Sequence, residues 1–255
     1  MRVQVGTSGY NYPEWRGSFY PANQPAKDMF PFYAARFSTV EINYTFRRMP
    51  TAKIVAAWRD QAPASFAYTL KAPQKITHIE RLTNASGALA VFCDAAQVLG
   101  PHLASLLFQL PPHFKADVAR LEAFLASVPA GVRAAFEFRH DSWLNEDVYA
   151  VLAARNAALV VADFGDRTTP LRPTANHGYL RLRDAGYTRA DLETWAGRLI
   201  ELGGGTSSPP ASAAGAAAGG WDDVFVYFKH EEAGKGPEFA RAFVEILSAR
   251  GVSVR

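Results

Sequence analysis

Cysteine is all but missing from this 255-residue chain: Cys93 stands alone, so neither an intramolecular disulfide nor a cysteine-based metal cluster can form. A small buried apolar role is expected for it. Long hydrophobic runs are missing too. No stretch approaches the roughly 20 apolar residues that a membrane span requires, and the opening MRVQVGTSGY contains no extended apolar segment of a secretion signal. A cytoplasmic protein without a membrane partner is therefore expected. The chain has no GxxxxGKS phosphate loop, no GxGxxG after its first strand and no GxSxG nucleophile elbow, so no nucleotide cofactor is indicated. The spacings HxH and HExxH are also absent, which disfavours zinc.

What is present is the composition of a globular domain, 49% hydrophobic and 20% charged, with a net charge of +3 that permits an anionic partner without demanding one. Short β-rich runs alternate with amphipathic stretches from end to end, which predicts βα units and a parallel sheet. The strands are expected at Arg2 to Thr7, Thr39 to Asn43, Phe66 to Lys71, Ser105 to Gln109, Ala134 to Phe138, Ala158 to Ala162, Tyr179 to Leu182 and Val224 to Phe228. Eight of them in about 250 residues predict an α/β fold, one (β/α)8 TIM barrel over residues 1–255.

Helix signals fall between the strands. Thr51 stands where an N-cap is wanted, with Ile54, Val55 and Trp58 on one face beyond it. Val118, Leu121, Phe124, Leu125 and Val128 repeat the pattern. Thr188 and Asp191 have capping-box spacing before a helix that Gly203 ends, and Pro237 can open the last one. The connection from Asp163 to His177, rich in Thr, Pro and Asp, has no helical period and reads as a loop. The uncharged, low-complexity GGGTSSPPASAAGAAAGG at 203–220 reads as a flexible insertion between the seventh helix and the eighth strand, on the face away from the chemistry.

Barrel active sites lie at the C-terminal ends of the strands, and polar residues collect there: Ser8, Glu41, Asn43, Lys71, Gln109, Glu137, Arg139, His140, Asp163, Arg181, Arg183, Lys229 and His230. Side chains two apart on a strand share a face, so Glu41 points with Asn43, Glu137 with Arg139, and Arg181 with Arg183. A carboxylate inside the apolar AAFEFRH needs a partner or a task. A structural ion pair of Glu137 with Arg181 is the competing explanation for any one of these residues.

Five ordered segments, GTSGYNYPEWRGSFYP, VEINYTFRRMP, LKAPQKITHIERL, LLFQLPPHF and FEFRHDSW, resemble the successive signatures of the domain of unknown function 72 family, also called YecE-like. The resemblance implies a TIM barrel similar in architecture to the xylose-isomerase and apurinic-endonuclease barrels, with no established activity. Carried onto this chain, it marks Ser8, Tyr12, Trp15, Glu41, Asn43, Thr45, Lys71, His78, Gln109, Glu137, Arg139, His140 and Trp143. The C-terminal third departs from the pattern, reading LRLRDAG after strand seven and YFKHEE after strand eight.

Three functions compete. The first is a hydrolase for a phosphorylated small molecule or nucleic acid, with Lys71, Arg139, Arg181, Arg183 and Lys229 neutralising phosphate and Tyr12, Trp15 and Trp143 stacking on bases or sugars. Glu41 or Glu137 then serves as general base, or joins Asp163 in a divalent-cation site. The second is a binding module for the same ligands. The third is carbohydrate chemistry by the Glu41 and Glu137 pair.

Overall fold

The computed structural model describes residues 1–164, 166–203, 220–229 and 234–255. Through them run eight parallel strands: β1 (Arg2–Ser8), β2 (Thr39–Ile42), β3 (Ala67–Lys71), β4 (Leu103–Gln109), β5 (Ala134–Glu137), β6 (Ala158–Asp163), β7 (His177–Leu182) and β8 (Asp223–Phe228). Each pairs with the next, and β1 pairs with both β8 and β2, so the sheet closes into the expected barrel. The sequence signals missed a two-residue strand, β9 (Ser253–Val254), which lies along Arg2 and Val3 of β1. At Gly6 a Cβ would stand 2.0 Å from the carbonyl oxygen of Thr39, so only glycine lets β1 and β2 approach as they do.

Around the barrel lie α1 (Met29–Ala34), α2 (Tyr44–Arg47), α3 (Ala52–Gln61), α4 (Ser86–Gln97), α5 (Val118–Ala126), α6 (Glu146–Ala154), α7 (Arg189–Gly203) and α8 (Lys235–Ala249). The starts of α3 and α7 follow the sequence signals, whereas α8 begins at Lys235, two residues before Pro237. Thr51 Oγ1 accepts a hydrogen bond from Ile54 N at 3.3 Å. Thr188 and Asp191 cap reciprocally: Asp191 N donates to Thr188 Oγ1 at 3.3 Å, and Thr188 N donates to Asp191 Oδ2 at 2.8 Å. The connection after β6 forms no helix among its described residues, as its composition predicted. Residues 204–219 of the low-complexity segment, and His230, lie outside the described residues. Among the described residues no helix is long and apolar enough to cross a membrane.

Alternation along the strands divides the core in two. One set, including Val3, Val5, Leu159, Val161, Leu180, Leu182 and Phe228, packs with the helices, and Cys93 is buried there as expected. The other fills the barrel interior: Leu107, Ala135, Val160, Ala162, Tyr179, Phe225 and Tyr227. Many of its members are alanines, which leaves room for long polar side chains one layer higher. Tyr227 ties three strands together across this interior, its hydroxyl lying 2.8 Å from both Thr39 Oγ1 and Thr69 Oγ1.

Candidate functional site

Above the tyrosine layer, the last inward residue of several strands enters one hydrogen-bonded network. Arg181 is its hub and is 3% exposed. Its Nη2 donates to Glu41 Oε1 at 2.8 Å, and its Nη1 donates to Glu137 Oε2. Tyr179, two residues earlier on the same face of β7, donates to Glu41 Oε2 at 2.6 Å, and Ser8 Oγ donates to Glu41 Oε1 at 2.5 Å. Asn43 Nδ2 reaches Ser8 Oγ at 2.8 Å. On the other side, Gln109 Nε2 donates to Glu137 Oε1 at 2.7 Å while its Oε1 accepts from Lys71 Nζ at 2.7 Å. Arg139 Nε completes the Glu137 shell at 2.9 Å.

The electrostatics follow from this geometry. Burial alone would push both glutamates toward their neutral form. The adjacent Arg181 guanidinium outweighs it, with Ser8 and Tyr179 helping at Glu41 and Arg139 helping at Glu137, so both carboxyls are held below the ordinary range. Both therefore stay ionised, and neither is a good proton donor. Lys71 behaves in the opposite way: burial and the nearby Arg181 charge lower its pKa to about 8. Its ammonium sits 4.0 Å over the ring of Phe46. Burial and Arg181 also lower the pKa of Arg183. Among the described residues, the Arg183 side chain makes no ion pair and rests 5.3 Å from the ring centre of Phe164, which Arg139 flanks at 5.2 Å.

His78 joins the cluster from a single π-helical turn, Lys75–Ile79, in the β3 to α4 connection. Three of the next six residues, Arg81, Leu82 and Asn84, adopt left-handed backbone conformations that non-glycine residues rarely take. Such strain collects where a side chain must be held in place. Burial lowers the His78 pKa, with Lys71 and Arg139 adding to the effect. Its Nδ1 lies 2.8 Å from Thr77 Oγ1, and its ring meets Phe46 edge-on at 5.0 Å.

The network thus gathers Ser8, Glu41, Asn43, Lys71, Gln109, Glu137, Arg139 and Arg181, with His78 beside it. Thr45 supports it from behind by donating to the Lys71 carbonyl at 2.5 Å. Several expected site residues do other work. Trp15 and Trp143 are fully buried: Trp15 packs among Tyr12, Phe19 and Tyr20, and Trp143 stacks on Phe138 at 4.7 Å, so neither presents a stacking face. His140 Nδ1 accepts from Ser142 N at 3.1 Å and caps a short turn. Tyr12 donates to the Ser8 carbonyl at 2.8 Å and lines a cavity beside the network.

Asp163 falls on the opposite parity of β6 from Val160 and Ala162. Its Oδ2 accepts from Tyr187 Oη at 2.7 Å and from Trp195 Nε1 at 3.2 Å, in the layer between strand and helix. Glu41, Glu137 and Asp163 therefore do not converge. No group of three histidine, cysteine, aspartate or glutamate side chains among the described residues could hold a metal ion. The motifs did not single out Tyr179, Phe46 or Phe164. Tyr179 was legible through its two-residue spacing from Arg181; the other two carried no sequence signal.

Comparison with known proteins agrees with this architecture. A family model described as "Protein of unknown function DUF72" matches residues 4–254. The chain is 28% identical to UPF0759 protein YunF of Bacillus subtilis over 156 residues, which is 58% of this chain and 54% of that protein, so the match spans about half the length of that relative. A DUF72 family crystal structure from Thermotoga maritima superposes with a TM-score of 0.81 at 25% identity, covering 97% of this chain and 100% of the other. One from Enterococcus faecalis gives 0.76 at 16% identity over 96% and 95% of the two chains, a likeness of fold alone.

Proposed function

Because the chain belongs to the DUF72 family, whose description assigns no activity, we propose from the site itself that this protein is an enzyme acting on a phosphate-containing substrate at the C-terminal mouth of its barrel. The charge balance carries the reading. Among the described residues, Lys71, Arg139, Arg181 and Arg183 surround two carboxylates, Glu41 and Glu137, and Arg181 bonds to both of those. Among these described groups two positive charges are in excess, and burial, with the Arg181 and Arg139 charges adding to it, disfavours the charged forms of Lys71 and Arg183. A bound phosphate relieves that cost.

In this reading the glutamates orient rather than catalyse: Glu137 fixes Arg139 and Arg181, and Glu41 fixes Arg181. Proton transfer falls to His78, whose lowered pKa leaves it neutral near pH 7, and to Lys71 with its pKa of about 8. The test is hydrolysis of a panel of phosphomonoesters and phosphodiesters, with and without divalent cations, beside binding of inorganic phosphate at rising ionic strength. Turnover that falls at least tenfold in Arg183→Ala, with phosphate binding that weakens as salt rises, is the expected result. No turnover on any ester together with no salt-sensitive binding overturns the proposal.

A further inference from the structure

Beside the charged mouth lies a cavity of about 430 Å³ between the turn after β1 and the start of α3. Its lining carries no formal charge. Tyr12, Tyr44 and Trp58 supply aromatic surface, and Ile42 and Ile54 supply aliphatic surface. Tyr44 is 45% exposed and meets Trp58 at 6.3 Å and 88°, so a large ring is held against its neighbour while part of it remains accessible to a ligand. Hydrogen-bonding groups enter from Asn11 and Asn43. Asn43 also belongs to the charged network: its Nδ2 donates to Ser8 Oγ, which donates to Glu41 beside Arg181. The cavity and the cationic mouth are therefore adjoining compartments joined at one side chain.

From this juxtaposition we infer that the ligand is a nucleoside phosphate, its base lying flat in the Tyr12, Tyr44 and Trp58 cavity and its phosphate reaching the cationic mouth. The inference rests on the phosphate-directed reading above and adds the identity of the rest of the molecule. A volume of this size suits a small-molecule site and holds a base with its ribose. An uncharged aromatic lining favours a neutral planar ring, on which stacking is effective and tolerant of ring type. Amide groups at the border can address the donors and acceptors on the edge of a base.

The experiment compares binding of the four ribonucleoside 5′-monophosphates, adenosine, ribose 5-phosphate and inorganic phosphate to the full chain by calorimetry. At least one monophosphate should bind tenfold or more tightly than ribose 5-phosphate and inorganic phosphate. Tyr44→Ala should weaken that monophosphate five- to hundredfold and leave inorganic phosphate unchanged, whereas Arg183→Ala should weaken both. Ile54→Trp, which fills the cavity without touching the charged network, should repeat the Tyr44→Ala pattern. If ribose 5-phosphate and the monophosphates bind equally and neither cavity variant matters, the base site is overturned while the phosphate reading stands. If adenosine binds as tightly as the monophosphates and phosphate binds not at all, the phosphate reading falls, and the nucleoside-phosphate assignment falls with it. Absence of binding by all the probes overturns both.

Discussion

Arg181 neutralises two carboxylates that are each 0% exposed. A buried charge that loses its partner keeps its desolvation cost and loses its compensation, which typically amounts to 3 to 5 kcal/mol. Arg181→Met is therefore expected to destabilise the fold by roughly that amount in urea unfolding, and Glu137→Gln by less, because the amide keeps the shape and Arg181 keeps Glu41 as its partner. A loss under about 1 kcal/mol in Arg181→Met contradicts its role as hub. His177 offers a second test at this scale. It is fully buried at the opposite end of β7, where neither ring nitrogen makes a hydrogen bond of normal geometry among the described residues and the polar backbone nearby is that of Ala134. Burial and the Arg133 charge lower its pKa to about 4, against the opposing pull of the Ala134 backbone and Asp223. The unfolded chain takes up this proton near the ordinary histidine value of about 6.5, whereas the folded chain does so only near 4. Stability should therefore fall as pH drops from about 6.5 to 4, by up to about 3 kcal/mol from this group. Wild type and His177→Leu, compared across that window, should differ in slope; parallel curves refute the account.

At the scale of elements, capping and strand parity matter most. The Thr188 and Asp191 pair closes the first turn of α7, which packs its Leu192, Trp195 and Leu199 side chains into the core. Thr188→Ala should lower stability by about 1 kcal/mol, the usual cost of a lost cap, while leaving ligand binding alone because the cap lies outside the network. A thermal melt showing no change would mean that the turn is held by packing instead. Parity explains why two acidic strand ends have different fates. Glu137 continues the inward series of Ala135 and enters the charged network, whereas Asp163 continues the outward series of Leu159 and Val161 and binds Tyr187 and Trp195.

Across the whole molecule, the small side chains of the barrel interior and the long charged ones at its mouth form a single design. The alanines leave room in which Arg181, Lys71 and Gln109 can extend, and the tyrosines beneath them close the floor. If the proposed phosphate site is right, the protein should be stabilised by the anion it binds, by RT ln(1 + [L]/Kd), about 2.7 kcal/mol at a hundredfold excess over Kd. Inorganic phosphate should therefore raise the melting temperature of the wild type, less so as pH rises through about 8 and Lys71 loses its proton. An equal rise in Arg183→Ala would place the anion elsewhere.

The sequence by itself determined the eight strands, their alternation, the caps at Thr51 and Thr188 and the polar strand ends, because these depend on periodicities of two and 3.6 residues and on local hydrogen bonds. It also identified the pair Glu137 and Arg181. Tertiary structure decided which polar ends meet. Strand-end position alone grouped Asp163 with Glu41 and Glu137; closure of the barrel sends it outward, because its parity and the tyrosine and tryptophan of neighbouring elements decide where a carboxylate can be satisfied. Trp15 and Trp143 looked available for stacking because burial of an aromatic in a loop depends on residues far away in the chain. The cavity at Tyr44 and Trp58 had no sequence signal, since it exists only where the turn after β1 faces α3. Closing the barrel gathers a row of charged residues into one network, because it brings Lys71, Arg139, Arg181 and Arg183 together with Glu41 and Glu137 at one end of the barrel.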